Sequence, residues 1–155
     1  MHRMEEKVNH NSIKNLFVEV RLLKLILARD VSYEQLEAFF NKNPDVNKNR
    51  VFENGYVVEL NNAIEGCFIL DQVEEGIYWL KQLYITQSEA GKHPFLLEAI
   101  LVLAKDRNAK SVYVHSHQPV VDLLLEALQF YPQTQSLSEE KYPVKGGSWW
   151  AYNVS

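Results

Sequence analysis

The chain has 155 residues, 46% of them apolar and 23% charged, with a formal net charge of −4. That length supports one domain with its own core, and the mildly acidic balance argues against a general nucleic-acid binder. Cys67 is the one cysteine, so an internal disulfide is excluded and a reducing, cytoplasmic setting is expected.

Residues 1–12 are polar and of mixed charge, and read as a tail ahead of a single domain over 13–155. Residues 13–29 carry two readings. Ile13, Leu16, Phe17, Val20, Leu23 and Leu27 fit a helix; Val18, Val20, Leu22 and Leu25 to Leu27 fit a strand. A first strand over 22–27 is favoured, with a helix or extended arm before it. Glu19, Arg21 and Lys24 interrupt this run, so neither a membrane span nor a signal peptide is expected. Residues 32–42 read as a helix. Ser32 and Gln35 have capping-box spacing, Leu36, Phe39 and Phe40 make the apolar stripe, and Asn43-Pro44-Asp45 stops it. Residues 45–50 read as a polar loop. Three strands of an antiparallel meander follow: 51–60, bulged near Asn54-Gly55, then 64–73, then Ile77–Ile85. Asn61-Asn62 and residues 74–76 supply the turns.

The stretch 77–130 organises the chain. After the strand Ile77–Ile85 comes a loop over 86–95 containing Gly91 and Pro94. A helix marked by Leu96, Leu97, Ile100, Leu101 and Ala104 leads to a strand over 111–115. A second helix carries Val120, Val121, Leu124, Leu125 and Leu128. Two strands joined through a helix are expected to be parallel neighbours with a right-handed crossover. Residues 131–140 read as a loop. Residues 142–144 and 148–154 read as a closing hairpin that turns at Lys145-Gly146-Gly147. The predicted class is α/β: a mixed, mostly antiparallel sheet with a central parallel strand pair and helices on both faces.

Several residue types that can do chemistry have a plainer structural reading. His115 and His117 stand two apart at a strand end and so point to one face. They read as solvated imidazoles, with a general-base role as the functional alternative. A zinc site needs further ligands that the sequence does not offer, so no metal is expected. Cys67 lies among apolar residues and reads as a buried thiol, not a nucleophile. Asp122 and Glu126, four apart on a helix, read as a solvated face. Trp149, Trp150 and Tyr152 read as core on one side of a terminal strand and interface on the other, with an acceptor pocket as the alternative.

The element order, with three stretches, resembles the GNAT (N-acetyltransferase) superfamily over residues 22–154. Ile64-Glu65-Gly66-Cys67-Phe68-Ile69-Leu70 is similar to that family's third strand, and Leu80-Lys81-Gln82-Leu83-Tyr84-Ile85 to its fourth. His117-Gln118-Pro119 through Glu126-Ala127-Leu128-Gln129-Phe130 is similar to its closing helical segment. The resemblance implies acetyl-CoA as cosubstrate. The pantetheine arm would lie between splayed fourth and fifth strands, here 80–85 and 111–115, with the pyrophosphate on the loop 88–95. The cofactor-binding residues so implied are Leu83, Tyr84, Ile85, Ala90, Gly91, Lys92, His93, Phe95 and Gln118. The implied chemistry is direct attack by a neutral amine, from a small molecule or a protein, with a base for the amine proton and an acid for the leaving thiolate.

The chain departs from the family's pattern where the chemistry lies. Of the loop's usual glycines only Gly91 remains; Pro94 has no N–H, and Phe95 is bulky where a small residue is usual. Lys92 and His93 would supply part of the charge in their place, although Lys92 reads equally as a solvated loop lysine and His93 more readily as a helix cap or an exposed side chain. Leu125 stands where an acid tyrosine is usual, Gln129 for a glycine, Gln118 for an asparagine, and Lys81 for an acidic base. The sequence thus reads as a divergent member with a degenerate phosphate loop: an acyl-CoA-dependent N-acyltransferase whose catalytic acid and base are unassigned. The alternative is a GNAT-fold protein without chemistry that binds a ligand or partner. A homodimer through the C-terminal aromatics, with Trp150 as a candidate anchor, belongs to that alternative.

Overall fold

A computed structural model describes residues 23–134, 137–138 and 140–154. The expected tail over 1–12 and the helix or arm over 13–21 lie outside the described residues. In chain order the strands are β1 (Leu23–Leu27), β2 (Gly55–Leu60), β3 (Ala63–Glu74), β4 (Ile77–Ile85), β5 (Ser111–Ser116), β6 (Tyr131–Pro132) and β7 (Ser148–Asn153). The helices are α1 (Tyr33–Lys42), α2 (Lys48–Asn54), α3 (His93–Asp106) and α4 (Pro119–Ala127), with 3-10 turns over Ala28–Asp30 and Gln87–Lys92. One seven-stranded sheet runs in the order β1-β2-β3-β4-β5-β7-β6. All its pairings are antiparallel except β4 with β5, the parallel pair expected from the strand–helix–strand pattern.

Alternation along the strands makes two apolar faces. Tyr56, Val58, Phe68, Leu70, Leu80, Val112, Val114 and Trp150 point to one face, beneath Leu96, Leu97 and Ile100 of α3 and Leu125 of α4. Val57 and Cys67 point to the other, beneath Leu36, Phe39 and Phe40 of α1 and Val51 of α2. Ser32 caps α1 by accepting the Gln35 N–H at 3.2 Å. Asn61 and Asn62 both take left-handed φ values, 53° and 69°, which gives the two-residue hairpin between β2 and β3.

Three expectations are corrected. Residues 45–50 are not all loop: Asn47 accepts the Arg50 N–H at 3.3 Å and starts α2, so the strand begins at Gly55, not Val51. Val51 fits a strand pattern and a helix equally, and its complete burial against α1 and β2 decides for the helix. The segment 86–95 is a 3-10 turn running directly into α3. That helix opens at His93, with Pro94 in its first turn, where a missing N–H is harmless. Residues 142–144 form no strand; the Val144 N–H closes a tight turn on the Tyr142 carbonyl at 2.7 Å. The neighbours of β7 are β5 and the short β6, and β6 falls inside the stretch read as loop.

Candidate active site

One irregularity in β4 shapes the site. The parallel pairing with β5 runs from Ile77↔Ser111 to Leu80↔Val114 and stops there. On the β3 side, Ile69 pairs with Lys81 and Cys67 with Tyr84, so β4 holds one residue more than β3 across that step. Gln82 takes the left-handed φ of 53°. This is a β-bulge, and it resets the alternation: Leu80 and Leu83, three apart, pack into the same core, while Tyr84 packs into the opposite one. A bulge bends its strand and increases twist, which turns β4 away from β5. Meanwhile β5 stays with β7 as far as Ser116↔Ser148. Among the described residues, the 81–85 edge of β4 has no partner strand on the β5 side. Its backbone groups there are open to a ligand.

Leu83, Tyr84 and Ile85 lie on this open edge. The Tyr84 ring does not: it meets Phe39 edge-on with centroids 6.2 Å apart, and its hydroxyl donates to Asn43 Oδ1 at 2.5 Å. Only the Tyr84 backbone is offered to the gap. The exit from β4 is tied to β3, with the Thr86 N–H on the Glu65 carbonyl at 2.8 Å and Thr86 Oγ1 on Glu65 Oε1 at 2.9 Å.

Ala90, Gly91 and Lys92 follow in the 3-10 turn. The Glu89 N–H donates to the Thr86 carbonyl at 3.0 Å, and the His93 N–H to the Ala90 carbonyl. A 3-10 turn bonds each N–H to the carbonyl three residues back, so these amides are engaged within the turn and form no bare phosphate nest. Gly91 is not left-handed, and a methyl added to it would meet nothing within 4 Å. Its contribution is open approach, not special backbone. The Lys92 ammonium lies 3.0 Å from the Glu89 carboxylate. Burial pushes the His93 imidazole below its ordinary 6.5, and its Nε2 is buried without a hydrogen-bond partner. That burial works against a charge on His93. Gln118 stands across the gap at the end of β5 as the N-cap residue of α4. Its exposed side chain makes no cap bond, while its backbone N–H donates to Ser116 Oγ at 3.3 Å.

By sequence the chain matches no family model and no curated protein. Solved structures do match. An acetyltransferase of the GNAT family from Staphylococcus aureus Mu50 superposes with a TM-score of 0.65 at 13% identity, over 86% of this chain and 99% of its own. The Campylobacter jejuni N-acetyltransferase PseH in complex with acetyl coenzyme A gives 0.66 at 13% identity, over 86% and 100%. An acetyltransferase from Streptococcus agalactiae 2603 gives 0.65 at 12% identity, over 86% and 99%. The fold is the GNAT fold.

On this GNAT fold the remaining candidates fall into place. The Lys81 ammonium lies 3.0 Å from Asp71 Oδ2 and 4.4 Å from the Trp79 ring centroid, a fixed cation where a carboxylate base was sought. Leu125 is buried in the core beside Val114 and Phe130. His115 and His117 do share a face, with ring centroids 4.3 Å apart, but His115 is not a solvated imidazole. It is half-buried against Trp149, and its Nε2 lies 2.6 Å from the Gly146 carbonyl oxygen. A carbonyl only accepts, so Nε2 carries the proton and Nδ1 is the basic nitrogen. Among the described residues, no cluster of three or more His, Cys, Asp or Glu side chains has metal-binding geometry. Cys67 is fully buried, and burial pushes its thiol up to about 12.

Two C-terminal expectations are corrected. Asp122 is no idle solvated acid; it accepts the Trp150 indole N–H at 2.9 Å. That bond anchors α4 to β7 and holds Trp150 inside the core at 7% exposure, so Trp150 is not an interface anchor. Trp149, on the opposite side of β7, packs with Trp79, Tyr142 and His115.

A cavity of about 330 Å³ opens beside the bulge, lined by Asp45, Val46, Asn47, Gln82, Leu83 and Tyr84. A second, of about 490 Å³, is lined by residues including Phe39, Lys42, Asn43, Glu65 and Thr86. Sequence reasoning missed Gln82, Asn43 and the Asp45–Asn47 wall. For Gln82 a signal existed. Apolar residues three apart, Leu80 and Leu83, flank two polar ones inside a strand, and that spacing needs an extra residue to keep both in the core.

Proposed function

We propose that this protein is an acyl-CoA-dependent N-acyltransferase, moving an acetyl group from acetyl-CoA to a small-molecule or protein amine. The observation that carries the reading is the open β4 edge over 81–85, made by the bulge at Gln82 and the end of pairing at Leu80↔Val114. A pantetheine arm presents amides that such an edge can bond as it would a neighbouring strand. In this reading Leu83, Tyr84 and Ile85 hold it through their backbones, and Gln118 flanks it from the β5 side. Ala90, Gly91, Lys92, His93 and Phe95 border the diphosphate at the start of α3. The amine approaches from the cavity beside Asp45 and Gln82, attacks the thioester carbonyl while neutral, and loses its proton to water or a side chain. The coenzyme A thiolate leaves and is reprotonated. The reading carries no nucleic-acid partner and expects a cytoplasmic setting. Among the described residues, no helix is long and apolar enough to cross a membrane.

A second reading has its own support: a GNAT-fold module without chemistry. The loop amides are engaged in the 3-10 turn, Glu89 offsets Lys92, Pro94 lacks an N–H, and burial disfavours a charge on His93. Each weakens diphosphate binding. Isothermal titration with acetyl-CoA, and with coenzyme A for comparison, separates the two. Micromolar binding supports the acyltransferase and warrants an acceptor screen. Undetectable binding at millimolar ligand overturns it in favour of a scaffold for another ligand or partner.

A further inference from the structure

Two arginines and a buried phenol meet beside the start of β2, two strands across the sheet from β4. Arg29, in the turn after β1, Arg107, just past α3, and Tyr56, at the start of β2, line a cavity of about 250 Å³ together with Glu53 and Asp71. Because α3 has 14 residues, its two ends lie about 20 Å apart, and Arg107 is at the end away from the loop around Gly91.

Tyr56 is only 4% exposed, yet its hydroxyl has no hydrogen-bond partner. A buried hydroxyl left in that state is a standing cost, and native structures seldom keep one without a use. The Arg107 guanidinium lies over the Tyr56 ring, 5.2 Å from its centroid. The Arg107 backbone is fixed by its N–H on the Leu103 and Ala104 carbonyls and by the Tyr78 hydroxyl, which donates to its carbonyl at 3.4 Å. Neither Arg29 nor Arg107 forms an ion pair among the described residues. Of the two acids lining the cavity, Asp71 already pairs with Lys81 at 3.0 Å, which leaves Glu53 alone against two guanidiniums. The cavity is therefore locally cationic on a chain whose net charge is −4. Burial raises the pKa of the phenol, and Arg107 and then Arg29 are close enough to pull against that rise.

We propose that this cavity binds a small oxyanion, a phosphate or a carboxylate, held by the guanidiniums of Arg29 and Arg107 and by a hydrogen bond donated from the Tyr56 hydroxyl. Guanidinium forks match both anions, and charge-assisted bonds to them are the strong class. The site stands whether or not the acyltransferase reading holds, because none of its residues belongs to the β4–β5 opening.

The test is calorimetric titration of the full chain with sodium phosphate and, separately, sodium acetate, with ionic strength held constant by chloride. One saturable site is expected for at least one of them, and the pair of titrations says which chemistry the site prefers. Arg29→Ala and Arg107→Ala should each weaken it about tenfold, and Tyr56→Phe about fivefold. Arg29 is exposed on a turn, so Arg29→Ala remains informative even if Arg107→Ala disturbs packing on Tyr56. Lys92→Ala should leave the affinity unchanged, which separates this site from any anion binding at the start of α3. No saturable binding of either anion in the millimolar range, or binding indifferent to Arg29→Ala, overturns the proposal.

Discussion

Gly66→Ala tests the geometry on which the candidate site depends. Gly66 on β3 lies in register with Ile85 of β4. A methyl built on it would sit 2.5 Å from the Tyr84 carbonyl oxygen and 3.3 Å from Ile85 Cα. Both are backbone atoms, so no rotamer change relieves the contact and the two strands must separate. Overpacking of this kind costs about 1–3 kcal/mol. Gly66 does not take a left-handed φ, so alanine fits its conformation and recovers about 0.4–1 kcal/mol through the unfolded chain. The steric term wins, leaving a net loss of about 1–2 kcal/mol, or about 2–8 °C in Tm for a domain of this size. Thermal melting by circular dichroism reads it. Because the displaced segment is Tyr84–Ile85, acetyl-CoA affinity should fall as well. A Tm within about 1 °C of the parent would refute the close approach of β3 to β4.

Other substitutions and conditions probe the rest of the frame. Gln129 has a φ of 73° at the exit of α4, where the Phe130 N–H reaches back to the Leu125 carbonyl at 2.9 Å. Gln129→Gly should therefore raise stability by about 0.5–1 kcal/mol, read as a higher urea midpoint. Trp150→Phe removes the donor to Asp122 and should cost about 1.5–3 kcal/mol in the same assay, with no change in molecular mass by light scattering. Burial holds the His93 pKa below 6.5, so as pH falls the unfolded chain takes up the proton first. Its contribution to stability is full above about pH 6.5 and is lost as pH falls from there toward the folded-state value. His93→Gln should flatten that part of the stability–pH curve, and an unchanged slope would show that His93 is not buried in solution.

What was legible in the sequence was local. Period-two alternation found the meander, Asn61-Asn62 marked its hairpin, and the strand–helix–strand pattern over 77–115 pointed to the parallel pair. The resemblance then put Leu83 to Ile85 on the part of β4 that lies beyond its last pairing with β5, Leu80↔Val114. Non-local pairing was not legible. Tyr131–Pro132 is too short to announce itself as a strand and is one only because β7 lies beside it. Val51 read as the start of a strand, and its place in a helix packed between α1 and β2 depends on contacts far along the chain. Asp122 looked idle because its partner, Trp150, is 28 residues away. At the loop, Gly91 and Lys92 were readable as residue types. Their amides and charge could not be judged before the 3-10 turn and Glu89 were seen to engage them.

Amide hydrogen exchange across the open edge of β4 tests the acyltransferase reading at its root. With saturating acetyl-CoA, exchange over residues 81–86 and the first turn of α3 should slow, with β1 and β2 unchanged. Exchange over 81–86 that is the same with and without saturating acetyl-CoA would contradict it.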